Sequence, residues 1–262
     1  MNGEFLSAFL TQVIFTIGVI VVFGMIVAFC NKLFYKNMGS FGKAACYITG
    51  FIGTPVHECA HALMCLIFGH KITEIKLFQI NSDDGTLGYV CHSYNKKNLY
   101  QNIGNFFIGV APIIVISALL YLLSSWLVPG MMQEILFHTQ NLGSKASIGD
   151  TFKAVGLSVG AFFSYAGDWH WWVFLLIGMF LVLHMTLSGA DIKGAWGGAL
   201  FLLLLLLVVD FVFELVSVSI LHSFTGWCLS VGGYLCSIFA LSLIVCVLAL
   251  VLSYVFKLVF KR

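Results

Sequence analysis

The chain has 262 residues, of which 60% are hydrophobic and only 9% are charged, and its mean hydropathy is +1.01. This composition excludes an ordinary water-soluble domain, in which about a quarter of the residues are charged. The net charge of +2, without a long basic tract, gives no basis for nucleic-acid binding, so the expected surroundings of the chain are a lipid bilayer.

Apolar runs of about twenty residues predict six transmembrane helices, since a helix of that length crosses about 30 Å of hydrocarbon. The predicted spans cover about 8–30, 44–69, 104–127, 171–188, 195–217 and 231–256. The run at 155–166 is too short to cross and is interpreted as an interfacial or re-entrant segment, the alternative being a seventh span. The predicted fold class is an all-α polytopic membrane protein, in which residues 1–262 form a single membrane-embedded domain.

The distribution of Lys and Arg indicates how these spans are oriented. With the N-terminus inside, eight of the 13 basic residues fall in cytoplasmic loops and tail, and five fall outside. Because cytoplasmic loops carry an excess of Lys and Arg, this distribution favours cytoplasmic positions for both termini. The expected location is the cell membrane, and the compact form of the chain favours a bacterial one.

The second span contains an H-E-x-x-H motif, His57-Glu58-Cys59-Ala60-His61. Residues four apart lie on one face of a helix, so His57 and His61 can bind a single Zn²⁺. Glu58 is then placed to take a proton from the attacking water, as in a metalloprotease. An ionisable residue inside a membrane helix is costly and normally serves a function. The structural alternative is a buried Glu58 that pairs with a histidine and fastens helices without metal.

The polar stretch 71–102, between the second and third spans, predicts a small β-hairpin. Residues 74–77 alternate polar and apolar side chains, residues 81–85 supply turn residues, and residues 87–90 form a second short apolar run.

A catalytic zinc site requires a third protein ligand and one open position. Asp191 is the predicted third ligand, because it follows the fourth span at the membrane depth of the two histidines, and Ser188, Gly189 and Gly194 indicate a break in the helix. Asp191 could instead cap the next helix as an N-cap residue. The alternative ligand is His184, seven residues earlier. The remaining candidates were Glu74, Glu134, Asp210 and Glu214.

The motif inside a membrane span, followed by an Asp on a later span, resembles the site-2 protease family of zinc intramembrane metalloproteases. In that family two His and one Asp bind zinc and the Glu is the general base. The resemblance therefore implies metal ligands His57, His61 and Asp191, with Glu58 as the catalytic residue. The chain departs from the family at the third ligand: residues 190–194 read Ala-Asp-Ile-Lys-Gly, where the family has Leu-Asp-Gly or Asn-Pro-x-x-Asp-Gly. The resemblance also implies that a strand of the hairpin holds an unwound substrate segment.

The expected function is that of a zinc-dependent intramembrane endopeptidase with one Zn²⁺ per chain, acting on membrane-embedded or membrane-tethered protein substrates. Two alternatives stay open at this stage. A metal-binding or metal-transport protein would need further polar ligands along several spans, and the chain has few. An inactive protease-like scaffold would bind membrane segments through the same groove.

Overall fold

The computed structural model describes residues 3–80, 85–139 and 148–260. The described helices are α1 (Gly3–Val13), α2 (Val19–Met38), α3 (Gly42–Ile67), α4 (Leu99–Leu127), α5 (Met131–Thr139), α6 (Ile148–Ser164), α7 (Trp169–Val182), α8 (Gly189–Val216) and α9 (Val218–Phe260). A π-helical turn, Ile14–Gly18, joins α1 to α2, and a 3₁₀ turn, Gly39–Phe41, joins α2 to α3. The strands are β1 (Lys71–Lys76) and β2 (Tyr89–Ser93).

Several of these helices are long and apolar enough to cross a membrane. Within the described ranges there are four such stretches, Glu4–Ile67, Leu99–Leu127, Gly189–Val216 and Val218–Phe260, or five if α6 and α7 together form one broken span. The surface of α8 is largely apolar, with exposed Leu, Val and Phe side chains along its length. These features confirm the predicted all-α, multi-span class and support a membrane protein.

The stretch Glu4–Ile67 is 64 residues long and contains the first predicted span and all but the last two residues of the second. Gly39 separates α2 from α3 with a φ of 56°, a backbone conformation that favours glycine. On either side of this turn the two helices contact the same segment: Asn31 donates to the carbonyl oxygen of Val182 at 2.8 Å, and Thr49 Oγ1 lies 2.9 Å from His184 Nε2. This arrangement agrees with two spans in the stretch, while the total of six stays a prediction.

The fourth predicted span, 171–188, differs from the structure. Helix α7 has 14 residues, about 21 Å at 1.5 Å per residue, and ends at Val182. It meets the preceding apolar helix at a bend of 120°, so the predicted re-entrant segment 155–166 lies in a broken helical pair. The chain from Leu183 to Ser188 is not helical. Side chains of α2 and α3 bind carbonyl oxygens in this region, which helps to satisfy groups that a helix end leaves unpaired.

The hairpin prediction is confirmed, with shifted strand ends. Strands β1 and β2 pair antiparallel, with Lys71 opposite Ser93 and Lys76 opposite Tyr89. The predicted turn residues 81–84 lie outside the described residues. Leu87 precedes β2 and its carbonyl oxygen accepts from the Gln79 backbone N–H at 2.7 Å, which continues the pairing towards the turn.

Helix α4 lies inside the bundle and packs against α3, α7, α8 and α9. Its residues Ile113, Ile116 and Leu120 are fully buried. Through these contacts α4 fixes the positions of α3 and α8, the two helices that carry the predicted metal ligands.

Candidate metal centre

His57 and His61 point their ring nitrogens at each other from successive turns of α3. Their Nε2 atoms lie 3.1 Å apart. His57 Nδ1 donates to the carbonyl oxygen of His184, and His61 Nδ1 donates to that of Ile108, each at 2.7 Å. Because a carbonyl oxygen only accepts, each Nδ1 carries the proton and each Nε2 presents a lone pair. Two lone pairs facing each other at this distance are suited to a shared cation.

The carbonyl that orients His61 is available because of a proline. In a regular helix the oxygen of Ile108 would accept from the backbone N–H four residues later, but that residue is Pro112, which has no N–H. The free oxygen therefore faces α3 and accepts from His61.

Asp191, in the first turn of α8, completes the cluster. Its Oδ1 lies 3.3 Å from His61 Nε2, and one ligand atom from each of His57, His61 and Asp191 lies within 4.8 Å of the others. Ligand atoms of a tetrahedral zinc with bonds of about 2.0–2.1 Å are about 3.3 Å apart, so these three residues fit the ion. Three protein ligands would leave one position of a tetrahedral zinc for water, as in catalytic zinc sites.

The carboxylate of Asp191 has a second contact that fixes its orientation. Its Oδ2 accepts from the backbone N–H of Ser188 at 2.7 Å, and the Ser188 hydroxyl oxygen accepts from the backbone N–H of Asp191 at 3.1 Å. This reciprocal pair is a capping box at the start of α8. The N-cap residue of α8 is therefore Ser188 and not Asp191, which is the third residue of the helix. One oxygen of Asp191 takes part in the capping box, and the other faces His61.

Replacing Ser188 with alanine is expected to weaken zinc binding by about 10-fold to 100-fold, the usual cost of losing a partner that orients a metal ligand. The Ser188→Asn variant keeps an N-cap oxygen and is expected to restore most of the affinity. Competition with a zinc-chelating dye would measure both values. Equal affinities for wild type and Ser188→Ala would contradict the positioning role.

The other sequence candidates lie outside this cluster. The His184 ring is bonded on both nitrogens, with Nε2 2.9 Å from Thr49 Oγ1 and Nδ1 3.3 Å from Thr54 Oγ1. It is the backbone of His184, not its ring, that contacts His57. Of the remaining carboxylates, Glu74 accepts from Tyr89, Glu134 from Tyr165 and Asp210 from Gln12, and Glu214 is half-buried on α8.

Glycines allow the three helices to approach closely enough for this geometry. A Cβ at Gly109 of α4 would lie 2.5 Å from the carbonyl oxygen of Asp191, and a Cβ at Gly198 of α8 would lie 2.1 Å from the backbone nitrogen of Phe106. On the other side of the centre, a Cβ at Gly53 would lie 2.5 Å from the His184 ring. The contact of α4 with α8 is thus backbone to backbone, and the contact at Gly53 brings α3 against the ring of His184.

Glu58 lies beside the two histidines at the wall of a cleft of about 180 Å³. The residue is 6% exposed, and no hydrogen bond or ion pair joins its carboxylate to another described residue. The segment before β2 covers it: a Cβ at Gly88 would lie 2.8 Å from Glu58 Cγ. The cleft is lined by Thr54, His57, Glu58, Leu87, Gly88, His184, Thr186, Leu187 and Ser188. A buried carboxylate that opens to a cleft and has no partner among the described residues can accept a proton from a molecule bound there.

A second cleft, of about 330 Å³, lies on the side of the cluster formed by Asp191. Sequence reasoning did not identify it. Its lining combines β2, α4 and α8, and only the packing of those three elements creates it. The sequence did carry one local signal for the metal centre that hydrophobic periodicity does not reveal. It is Pro112, whose missing N–H frees the carbonyl oxygen of Ile108.

Comparison with known proteins gives one match. Residues 50–159 match the model of a family described as "Putative zincin peptidase". No curated protein and no solved structure matches the chain. The matched segment includes the H-E-x-x-H motif, the hairpin and α4, and it ends before Asp191. Together with the cluster of two histidines and one aspartate, this similarity supports a zinc metallopeptidase.

Proposed function

We propose that the protein is a zinc-dependent intramembrane endopeptidase of the site-2 protease type. It hydrolyses peptide bonds in or next to transmembrane segments of membrane-embedded or membrane-tethered proteins. The observation that carries the proposal is the position of the cluster: Glu58 and the ligands His57 and His61 lie on α3, and Asp191 lies on α8, both in stretches that can cross a membrane. A metallopeptidase centre in such helices is directed at substrates in the bilayer.

The residues of the site have two roles, metal binding and proton transfer. Zinc held by His57, His61 and Asp191 would lower the pKa of a water molecule and polarise the scissile carbonyl. Glu58 takes the proton of the attacking water and delivers it to the leaving amine. Its carboxylate is available for this because no described side chain pairs with it.

The hairpin gives this proposal a way to hold the substrate. A transmembrane substrate satisfies its backbone amides in its own helix, so cleavage requires local unwinding. A strand added to a sheet edge replaces the lost hydrogen bonds. The segment 87–92 borders both clefts of the centre, with Leu87 and Gly88 on one side and Val90 and His92 on the other. An extended substrate following this segment would pass the metal ligands.

We expect Glu58→Gln to lower the cleavage rate by about 10²-fold to 10⁴-fold, because the amide cannot accept the proton. Zinc content should stay at about one ion per chain, since the three ligands are unchanged. The assay uses detergent-purified protein and a peptide mixture prepared from a membrane-protein extract, with new termini identified by mass spectrometry.

Glu214→Gln is the matched control, because Glu214 lies on α8 away from the cluster, and it should cleave at the wild-type rate. Equal cleavage by Glu58→Gln and wild type would overturn the proposal. Zinc binding without any cleavage by the wild type would instead favour the metal-transport or scaffold alternatives.

The orientation of the protein completes the proposal. From the excess of Lys and Arg in alternate loops, we place both termini in the cytoplasm and the protein in the cell membrane as a multi-pass protein.

A further inference from the structure

The second cleft lies across the metal ligands from the general base. Glu58 and His57 line the first cleft, whereas Asp191 lines the second. A substrate whose scissile bond is at the cluster would therefore place Glu58 on one side and the second cleft on the other. This cleft has room for a side chain: Gly194 and Gly197 form part of its α8 wall, and a Cβ at either would meet no atom within 4 Å.

One wall of the second cleft is formed by alternate residues of β2 and the chain just after it, Val90, His92 and Tyr94. Residues two apart on a strand face the same side. His92 Nδ1 lies 3.0 Å from His70 Nδ1, and His70 Nε2 lies 2.9 Å from the carbonyl oxygen of Gln101. The carbonyl accepts, so His70 carries its proton on Nε2, and its Nδ1 accepts from His92 Nδ1.

This chain of hydrogen bonds leaves the Nε2 of a neutral His92 ring as an acceptor. Burial, followed by the nearby His70 and His61, lowers the pKa of His92, which agrees with the neutral ring that these hydrogen bonds require. His92 thus presents a lone pair, held in position by the buried His70.

Asn105 of α4 supplies a second polar group. The residue is 7% exposed and lines the cleft, and no hydrogen bond joins its amide to another residue in the described part of the chain. The neighbouring Asn102 provides a contrast, since its amide donates to the carbonyl oxygens of Lys96 and Asn98, each at 2.7 Å. Buried amides in proteins normally have partners, so the amide of Asn105 is suited to a partner that binds in the cleft.

We propose that the second cleft is a substrate subsite that selects an uncharged, hydrogen-bonding side chain, such as Asn, Gln, Ser or Thr, next to the scissile bond. The inference rests on the proposed endopeptidase function and specifies its substrates. Asn105 can donate to and accept from such a side chain, and His92 accepts from it. Lys193 lies at the same wall and opposes a cationic residue. The acceptor lone pair of His92 opposes a carboxylate, which has no proton to donate.

The selectivity follows from the cost of unpaired groups. An apolar substrate side chain would displace water from Asn105 and His92 without replacing its hydrogen bonds. Sites built to bind a polar group discriminate strongly against substrates that lack it. A preference of at least about 10-fold for polar over apolar residues at this position is expected.

The test profiles cleavage sites in the same membrane-derived peptide mixture. Wild type should show polar, uncharged residues enriched at one fixed position beside the cut. Asn105→Leu, which keeps the side-chain size but removes the amide, should shift that position towards Leu and Ile. Asn37→Leu is the matched control: Asn37 donates to Ser253 Oγ on the α2 to α9 contact, and its loss should leave the profile unchanged.

His92→Phe is the second variant, and it keeps the test decisive if Asn105→Leu does not hold zinc. It should shift the same position towards Leu and Ile. Glu58-dependent cleavage by wild type without a polar preference would overturn the inference and leave the endopeptidase proposal standing. A cleavage profile that is unchanged in zinc-loaded Asn105→Leu or His92→Phe would also overturn the inference and leave the endopeptidase proposal standing. No Glu58-dependent cleavage at all would overturn both.

Discussion

Replacing His61 with alanine is expected to reduce the zinc content of the purified protein from about one ion per chain to less than about 0.1. Only two ligands would then remain, whereas zinc sites of this kind use three protein ligands. The variants His57→Ala and Asp191→Ala should lose zinc to the same extent, because each removes one of the three atoms that lie within 4.8 Å of one another. Elemental mass spectrometry on detergent-purified, chelator-free protein measures the content.

His184→Ala is the informative control for these variants. The His184 ring contacts Thr49 and Thr54, and its contribution to the centre is a backbone oxygen that alanine also has. Zinc content should therefore stay near one ion per chain. Loss of zinc in His184→Ala, with retention in Asp191→Ala, would show that the third ligand is His184 and that the assignment to Asp191 is wrong.

Replacing Gly198 with alanine is expected to have the second large effect. A Cβ there would lie 2.1 Å from the Phe106 nitrogen and 2.9 Å from the Asn102 oxygen, both backbone atoms of α4. The two helices must separate, at a cost of about 1–3 kcal/mol or more for an overpacked contact. Asp191 moves with α8, so zinc affinity should fall together with the thermal unfolding temperature.

The adjacent Gly197 provides a matched comparison on the same helix. A Cβ at Gly197 meets no atom within 4 Å, so Gly197→Ala does not disturb the contact between α4 and α8. Its expected effect is the higher helix propensity of alanine. It should unfold at or above the wild-type temperature and bind zinc normally. If Gly198→Ala and Gly197→Ala behaved alike in both measurements, close approach of α4 and α8 would not be what holds the centre together.

The sequence predicted those features of the fold and the site that depend on interactions between residues close together in the chain. The spacing of His57 and His61 places both rings on one helix face, and the alternating residues after α3 predict the hairpin, which the structure confirms. Asp191 was selected by its depth in the membrane, and the structure places its carboxylate 3.3 Å from His61. Its role as a zinc ligand, like those of the histidines, stays a prediction until zinc content is measured.

Features that depend on tertiary packing could not be predicted in the same way. The apolar run continues past Val182, so hydropathy gave no sign that α7 ends there. The carbonyl acceptors that orient His57 and His61 come from segments remote in sequence, and the cleft beside Asn105 exists only because β2, α4 and α8 meet. Pro112 is an exception, since the missing N–H of a proline predicts a free carbonyl four residues earlier.

The separation of the ligands along the chain also governs when the centre can form during synthesis. His57 and His61 belong to α3, but Asp191 follows only after α4 to α7 have been made, and its carboxylate is oriented by the capping box with Ser188. A ribosome-bound chain that has inserted only its first helices therefore has an incomplete ligand set. The nascent protein therefore cannot bring the three residues of the cluster together before the first turn of α8 has folded.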